Sequence, residues 1–237
     1  MALDARKRQK KLERKQAKHR ARKKSMVRCE SDSMLFQIER STRAPWLHCR
    51  AMNALWDKGI GQVLISRQLP SRQVILSSFL VDMYCLGVKD AFVAVLPNSK
   101  YQERIVDRMA TSMGGTVDMT PEAVCKLVQG AIAYARDLGF SPHPDCILAH
   151  RMLAGIDPGK CDEEFEYGKN GKPLFISGPH DAPERCRRII ATLNESCGPG
   201  GFHYVVHAGS PYALGSFASL RSEDEGEYLE FADDSDE

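Results

Sequence analysis

No run of about 18 apolar residues occurs in this 237-residue sequence, which excludes a simple membrane-spanning helix. No apolar segment of the kind a signal peptide needs follows the first basic residues. Those residues are also too poor in Ser for a convincing organelle transit peptide. None of the eight cysteines pairs with another as C-x-x-C. Free thiols in a reducing cytoplasm are therefore expected, rather than a disulfide framework. The phosphate-loop pattern G-x-x-x-x-G-K-[ST], the dinucleotide fingerprint G-x-G-x-x-G and the nucleophile elbow G-x-S-x-G are all absent. The head of the chain, Met1 to Lys24, contains no aromatic side chain, no Gly and no Pro.

What that head does contain is charge. Twelve of its side chains are Lys or Arg against two acids, Asp4 and Glu13, for a net charge of +10. The acidic end, Ser222 to Glu237, holds nine acids and no base. The body between is nearly neutral, so the overall +2 conceals a polarised chain. Ala, Lys, Arg, Glu and Gln favour a nascent helix in the head, while like-charge repulsion opposes it until a polyanion relieves it. A phosphate backbone is such a polyanion, and binding to it is salt-sensitive and largely blind to sequence. Without aromatics the head has nothing on which bases stack. The contact residues expected are Arg6, Lys7, Arg8, Lys10, Lys11, Arg14, Lys15, Lys18, Arg20, Arg22, Lys23 and Lys24. A solvated tail, or a contact with a membrane surface or a protein, is the blander alternative.

The chain is expected to divide into a basic, disordered or nascent-helical tail (1–28), a globular body (29–220) and an acidic disordered tail (221–237). Residues 29–41 are ambiguous. The spacing of Trp46, Cys49, Asn53 and Trp56 predicts a helix over Thr42–Lys58, stopped by Gly59. Gln62–Gln68, Gln73–Tyr84 and Ala91–Leu96 read as strands, with a turn at Leu69–Arg72. A helix capped by Asn98 or Ser99 is expected to run to about Met113. The clearest helix is Thr120–Leu138. It has Thr at the N-cap, Pro121 at the first position, an apolar face from Val124 to Leu138, and Gly139 as stop. Asp145 is read as the cap of a helix through Leu153. Phe165–Ile176 is read as a hairpin around Asn170-Gly171, followed by a helix from Asp181 or Ala182 and a strand over Phe202–Val206. The order favours an α+β body: a small antiparallel sheet or hairpins packed with several amphipathic helices, flanked by the disordered charged tails.

Asp82, Tyr84, Cys85, Lys89 and Asp90 crowd into one short stretch. Two carboxylates and a lysine in a cleft do acid–base work, so Asp82, Lys89 and Asp90, with His143, are the catalytic candidates; turn capping and an exposed ion pair are the structural alternative. His143, Cys146 and His150, with Cys161, have a loose resemblance to a zinc ligand set, but the pattern is no zinc knuckle and Pro144 interrupts it. No metal and no cofactor is assigned. Lys169 and Lys172 flank the Asn170-Gly171 turn, and Arg185, Arg187 and Arg188 make a small basic cluster.

The segments Phe79–Asp90 (FLVDMYCLGVKD), Gly130–His143 (GAIAYARDLGFSPH) and Tyr167–Pro173 (YGKNGKP) resemble an uncharacterised bacterial protein family. The resemblance spans about Gly59 to Ile176 and implies a bacterial cytoplasmic protein. It brings no activity, cofactor or catalytic residue with it. The reading that follows is a non-enzymatic, cytoplasmic, RNA-associated protein, ribosome-associated or bound to other structured RNA, with no membrane partner. A hydrolase or nuclease-like enzyme using the Asp82–Asp90 segment and a protein-interaction module with charged arms are the alternatives.

Overall fold

The computed structural model describes residues 33–70, 72–111, 114–178 and 181–206. The expected basic and acidic tails lie outside these residues. The fold is α+β. Two compact units divide between Pro173 and Leu174.

The first unit is built on a five-stranded sheet. A helix over 33–41 (α1) buries Ile38, and the Ser41 hydroxyl donates to the Ile38 carbonyl at its end (2.7 Å). Then come β1 (Trp46–Met52), a short helix α2 (Ala54–Lys58), β2 (Ile60–Gln68), β3 (Gln73–Asp82) and β4 (Gly87–Pro97). Helix α3 comprises Asn98–Tyr101, a wide π-helical turn at Gln102–Asp107, and Arg108–Thr111. β5 (Thr116–Asp118) and the long helix α4 (Pro121–Asp137) follow, and α5 (Cys146–Ala149) tightens into a 3₁₀ turn at His150–Leu153. The strand order is β4-β3-β2-β1-β5 and every neighbouring pair is antiparallel.

The alternation of β2 and β3 sorts their side chains onto two apolar faces. Val63, Ile65, Ile75, Phe79 and Val81 pack with Val124, Leu127, Val128 and Ala131 of α4 and with Ala149, Met152 and Leu153. Leu64, Val74 and Leu76 meet Tyr101, Ile105, Val106 and Met109 of α3. The central strands are covered on both faces, which is why they read as continuous apolar runs. Each fully buried Leu, Ile, Val or Phe contributes about 1.5–3 kcal/mol.

Thr120 caps α4 as expected, its side chain accepting from the Ala123 N–H (3.1 Å), and Gly139 follows in a left-handed conformation. Elsewhere the sequence reading needs correction. The helix expected over Thr42–Lys58 is mostly strand β1. Its short pattern, WLHCRAM, satisfies a helical and a strand period about equally. The backbone pairs with β2 on one side and β5 on the other decide between them. Only α2 remains helical, and it stops at Gly59 (φ 72°). Pro97, not Asn98 or Ser99, occupies the cap position of α3, whereas Asp145 does occupy that of α5, though without a side-chain cap hydrogen bond.

The expected hairpin over Phe165–Ile176 forms only its tip. Asn170 (φ 53°) and Gly171 (φ 76°) make the turn, closed by reciprocal backbone hydrogen bonds between Lys169 and Lys172. Pro173 has no N–H with which to extend that ladder. The next strand, β6 (Leu174–Ile176), belongs instead to the second unit, where it pairs in parallel with β7 (His203–Val205). Helix α6 (Pro183–Cys197) connects them, burying Cys186, Ile189 and Leu193. No helix among the described residues is long and apolar enough to cross a membrane.

Candidate functional site

Among the described residues β4 is an edge strand, and its start carries two of the four catalytic candidates, Lys89 and Asp90. Asp82 ends β3 with only 6 % exposure. Its Oδ1 accepts from the N–H groups of Tyr84 and Cys85 (both 3.0 Å), so the carboxylate shapes the β3–β4 turn. Burial raises its pKa, against the opposing effects of Lys89 and the backbone hydrogen bonds. A register shift between Leu80 and Val81 marks a bulge around Lys89: Leu80 faces Asp90, whereas Val81 already faces Val88.

Asp90 and His143 do come together. The loop after α4 runs along the β4 edge, where the His143 N–H donates to the Val88 carbonyl (3.1 Å). His143 Nδ1 lies 3.6 Å from Asp90 Oδ1 and 3.8 Å from Asp145 Oδ2. All three ligand-capable atoms fall within 4.8 Å of one another. The side chains are about a third exposed, at 36 % for His143, 33 % for Asp90 and 41 % for Asp145. Asp90 Oδ1 also accepts from the Ala91 N–H (2.8 Å), and the Asp145 N–H approaches His143 Nδ1 at 3.4 Å. Sequence reasoning took Asp145 for a helix cap. The His143-Pro144-Asp145 spacing hinted at two groups on one side of a loop, but only the fold supplies Asp90.

The loose His143, Cys146, His150 and Cys161 set does not assemble as a ligand group; His143 turns to the two carboxylates instead. Cys146 is buried, which pushes its thiol pKa up to about 11 and disfavours the thiolate a metal needs. Burial lowers the pKa of His150.

Two further polar arrangements escaped the sequence. On the α3 face, Tyr101 Oη lies 2.8 Å from His48 Nδ1 and 2.9 Å from Ser66 Oγ, and Ser66 also bonds the His48 backbone. Burial lowers the pKa of His48 and pushes that of Tyr101 up to about 12. Tyr101 is 1 % exposed, so this network fastens α3 to the sheet rather than meeting a ligand. His48 was missed because its strand was read as helix. At the other end of the sheet the three resemblance segments converge. The Tyr134 and Tyr167 rings stack 5.7 Å apart, Tyr167 Oη donates to the Leu127 carbonyl (2.9 Å), and Lys169 Nζ donates to Tyr84 Oη (3.1 Å). A Cβ on Gly130 would collide with Tyr167, and one on Gly168 would lie 2.7 Å from Tyr134 Oη. Packing accounts for much of what makes these segments distinctive.

The basic residues of the second unit are partly neutralised at once: Arg185 pairs with Asp181 (3.0 Å) and Arg187 with Glu184 (3.0 Å). The head residues Arg6 to Lys24 lie outside the described residues. Compared with known protein families, curated proteins and solved structures, the chain matches none.

Proposed function

We propose that this is a non-enzymatic, cytoplasmic RNA-associated protein, held on structured RNA such as ribosomal RNA by residues Arg6 to Lys24. The observation that carries the reading is the segregation of charge: twelve bases between Met1 and Lys24 against a nearly neutral body. Counterion release favours such a segment on any dense phosphate backbone, and the missing aromatics make it an anchor rather than a reader of bases. The nine acids between Ser222 and Glu237 compete for the same head when RNA is scarce. The enzyme alternative loses Asp82 to the β3–β4 turn and retains only the approach of Asp90 to His143.

The test is a titration of the full chain against a structured RNA by fluorescence anisotropy. If about six to ten phosphates are engaged, affinity falls about 10³–10⁵-fold between roughly 50 and 200 mM salt. Changing the twelve head bases to Gln is expected to abolish both the binding and its salt slope. Changing the tail acids to Asn and Gln is expected to tighten binding at low salt only, because salt of about 1 M shortens electrostatic reach to about 3 Å. Equal affinity of the native and head-neutralised chains, with no salt slope, sinks the proposal.

A further inference from the structure

We infer that Asp90, His143 and Asp145 form a binding site for a divalent transition-metal ion at the edge of the sheet. Three electron-pair donors, one imidazole nitrogen and two carboxylate oxygens, converge within 4.8 Å. The separations of 3.6 and 3.8 Å are too long for hydrogen bonds from the ring to either carboxylate. The Asp145 backbone N–H donates to Nδ1 at 3.4 Å. Nδ1 is then the ring's unprotonated nitrogen, and a cation that displaces this long hydrogen bond meets one lone pair beside two carboxylate oxygens.

The spacing suits an ion of the zinc class. Nitrogen and oxygen ligands sit about 2.0–2.2 Å from such an ion, so small side-chain rotations bring all three into contact. The backbone around the site is held in place. Pro142 and Pro144 restrict the chain on either side of His143, and the His143 N–H is fixed to Val88 of β4. Cys146 and Ile147 then bond back to the carbonyls of His143 and Pro144 (2.9 and 3.1 Å). Mixed imidazole and carboxylate ligands favour zinc, manganese or cobalt over calcium and magnesium, which prefer oxygen alone. Three protein ligands, each about a third exposed, leave the remaining coordination positions to water. The bulge at Lys89 sets the register of Asp90 on the edge strand that this loop follows. The site is independent of the RNA proposal, and either can fail alone.

The competing account is that the three side chains meet at the strand edge without binding metal. The full-length, metal-stripped chain is titrated with Zn²⁺ by calorimetry and with Co²⁺ by visible absorption. The variants are Asp90→Asn, Asp145→Asn and His143→Gln, each first checked for the native far-UV spectrum. One equivalent of ion, a Co²⁺ spectrum without a thiolate charge-transfer band, and a loss of about 10–100-fold or more in affinity in every folded variant would bear out the site. No binding by the native chain, binding unchanged in the folded variants, or a thiolate band pointing to cysteine ligands would each overturn it. Asp90→Asn and Asp145→Asn preserve side-chain size, so they keep the test decisive should His143→Gln misfold.

Discussion

Burying a carboxylate raises the cost of its charge, and Asp82 bears that cost while making two hydrogen bonds to the turn that follows it. Its raised pKa fixes the sign of the pH dependence. The stability associated with the protonated form is complete below the ordinary carboxylate range and is lost as pH rises through the raised value. Asp82→Asn keeps an acceptor oxygen and removes the charge. Its melting temperature is expected to exceed that of the native chain at neutral pH, with the gap closing below about pH 4. Asp82→Ala removes the acceptor of the Tyr84 and Cys85 N–H groups and is expected to cost about 1–3 kcal/mol below about pH 4, where the native carboxyl carries no charge. Thermal melts of the three proteins across pH measure both effects; an Asn variant less stable than native at neutral pH would show that Lys89 outweighs burial. From sequence, Asp82 was a catalytic candidate because adjacency of charged groups is visible along a chain. Burial is not, and burial is what separates Asp82 from its near neighbour Asp90.

At the scale of elements, legibility depended on how many signals agreed. Helix α4 was readable because its cap, its first-turn proline, its apolar stripe and its terminal glycine all named the same boundaries. Strand β1 was not, since its pattern admits two periods and its partners lie elsewhere in the chain. The β6 strand was misplaced for a related reason: the Asn170-Gly171 turn is a true local signal, and the parallel partner His203–Val205 is a distant one. The junction between α4 and the β3–β4 turn rests on Gly87. It has φ +65°, and an added Cβ would lie 2.7 Å from both the Ala131 carbonyl oxygen and the Ala135 methyl. Gly87→Ala combines a left-handed backbone penalty of about 1–2 kcal/mol with overpacking of about 1–3 kcal/mol. Urea denaturation is expected to show a loss within the sum of those ranges, and a loss of only about 1–2 kcal/mol would mean that α4 moves away freely and the backbone penalty alone remains. The candidate metal site depends on the same geometry, because its Asp90 comes from one element and its two other donors from the loop after another.

For the molecule as a whole, the strand order β4-β3-β2-β1-β5 has a consequence for how the sheet assembles. The β2–β3 and β3–β4 ladders join neighbouring stretches of chain, whereas Met52 meets Thr116 of β5 only after β2, β3, β4 and α3 have intervened. Loop-closure entropy must be met before that last ladder gives anything in return, and β5 is too short to return much. The central hairpins are therefore expected to form first and the β1–β5 seam to close last and open first. Native-state hydrogen exchange reads this order directly: amides of β3 should open only with global unfolding, and those in the β1–β5 ladder at lower free energy. Uniform protection across all five strands would contradict it. When the seam opens, the outer hydrogen-bonding edge of β1 is left unpaired, a row of backbone donors and acceptors able to template a neighbouring chain. The short β5 covers Arg50–Met52 of that edge, and the chain's tendency to self-associate under mild heating is expected to follow how firmly that strand is held.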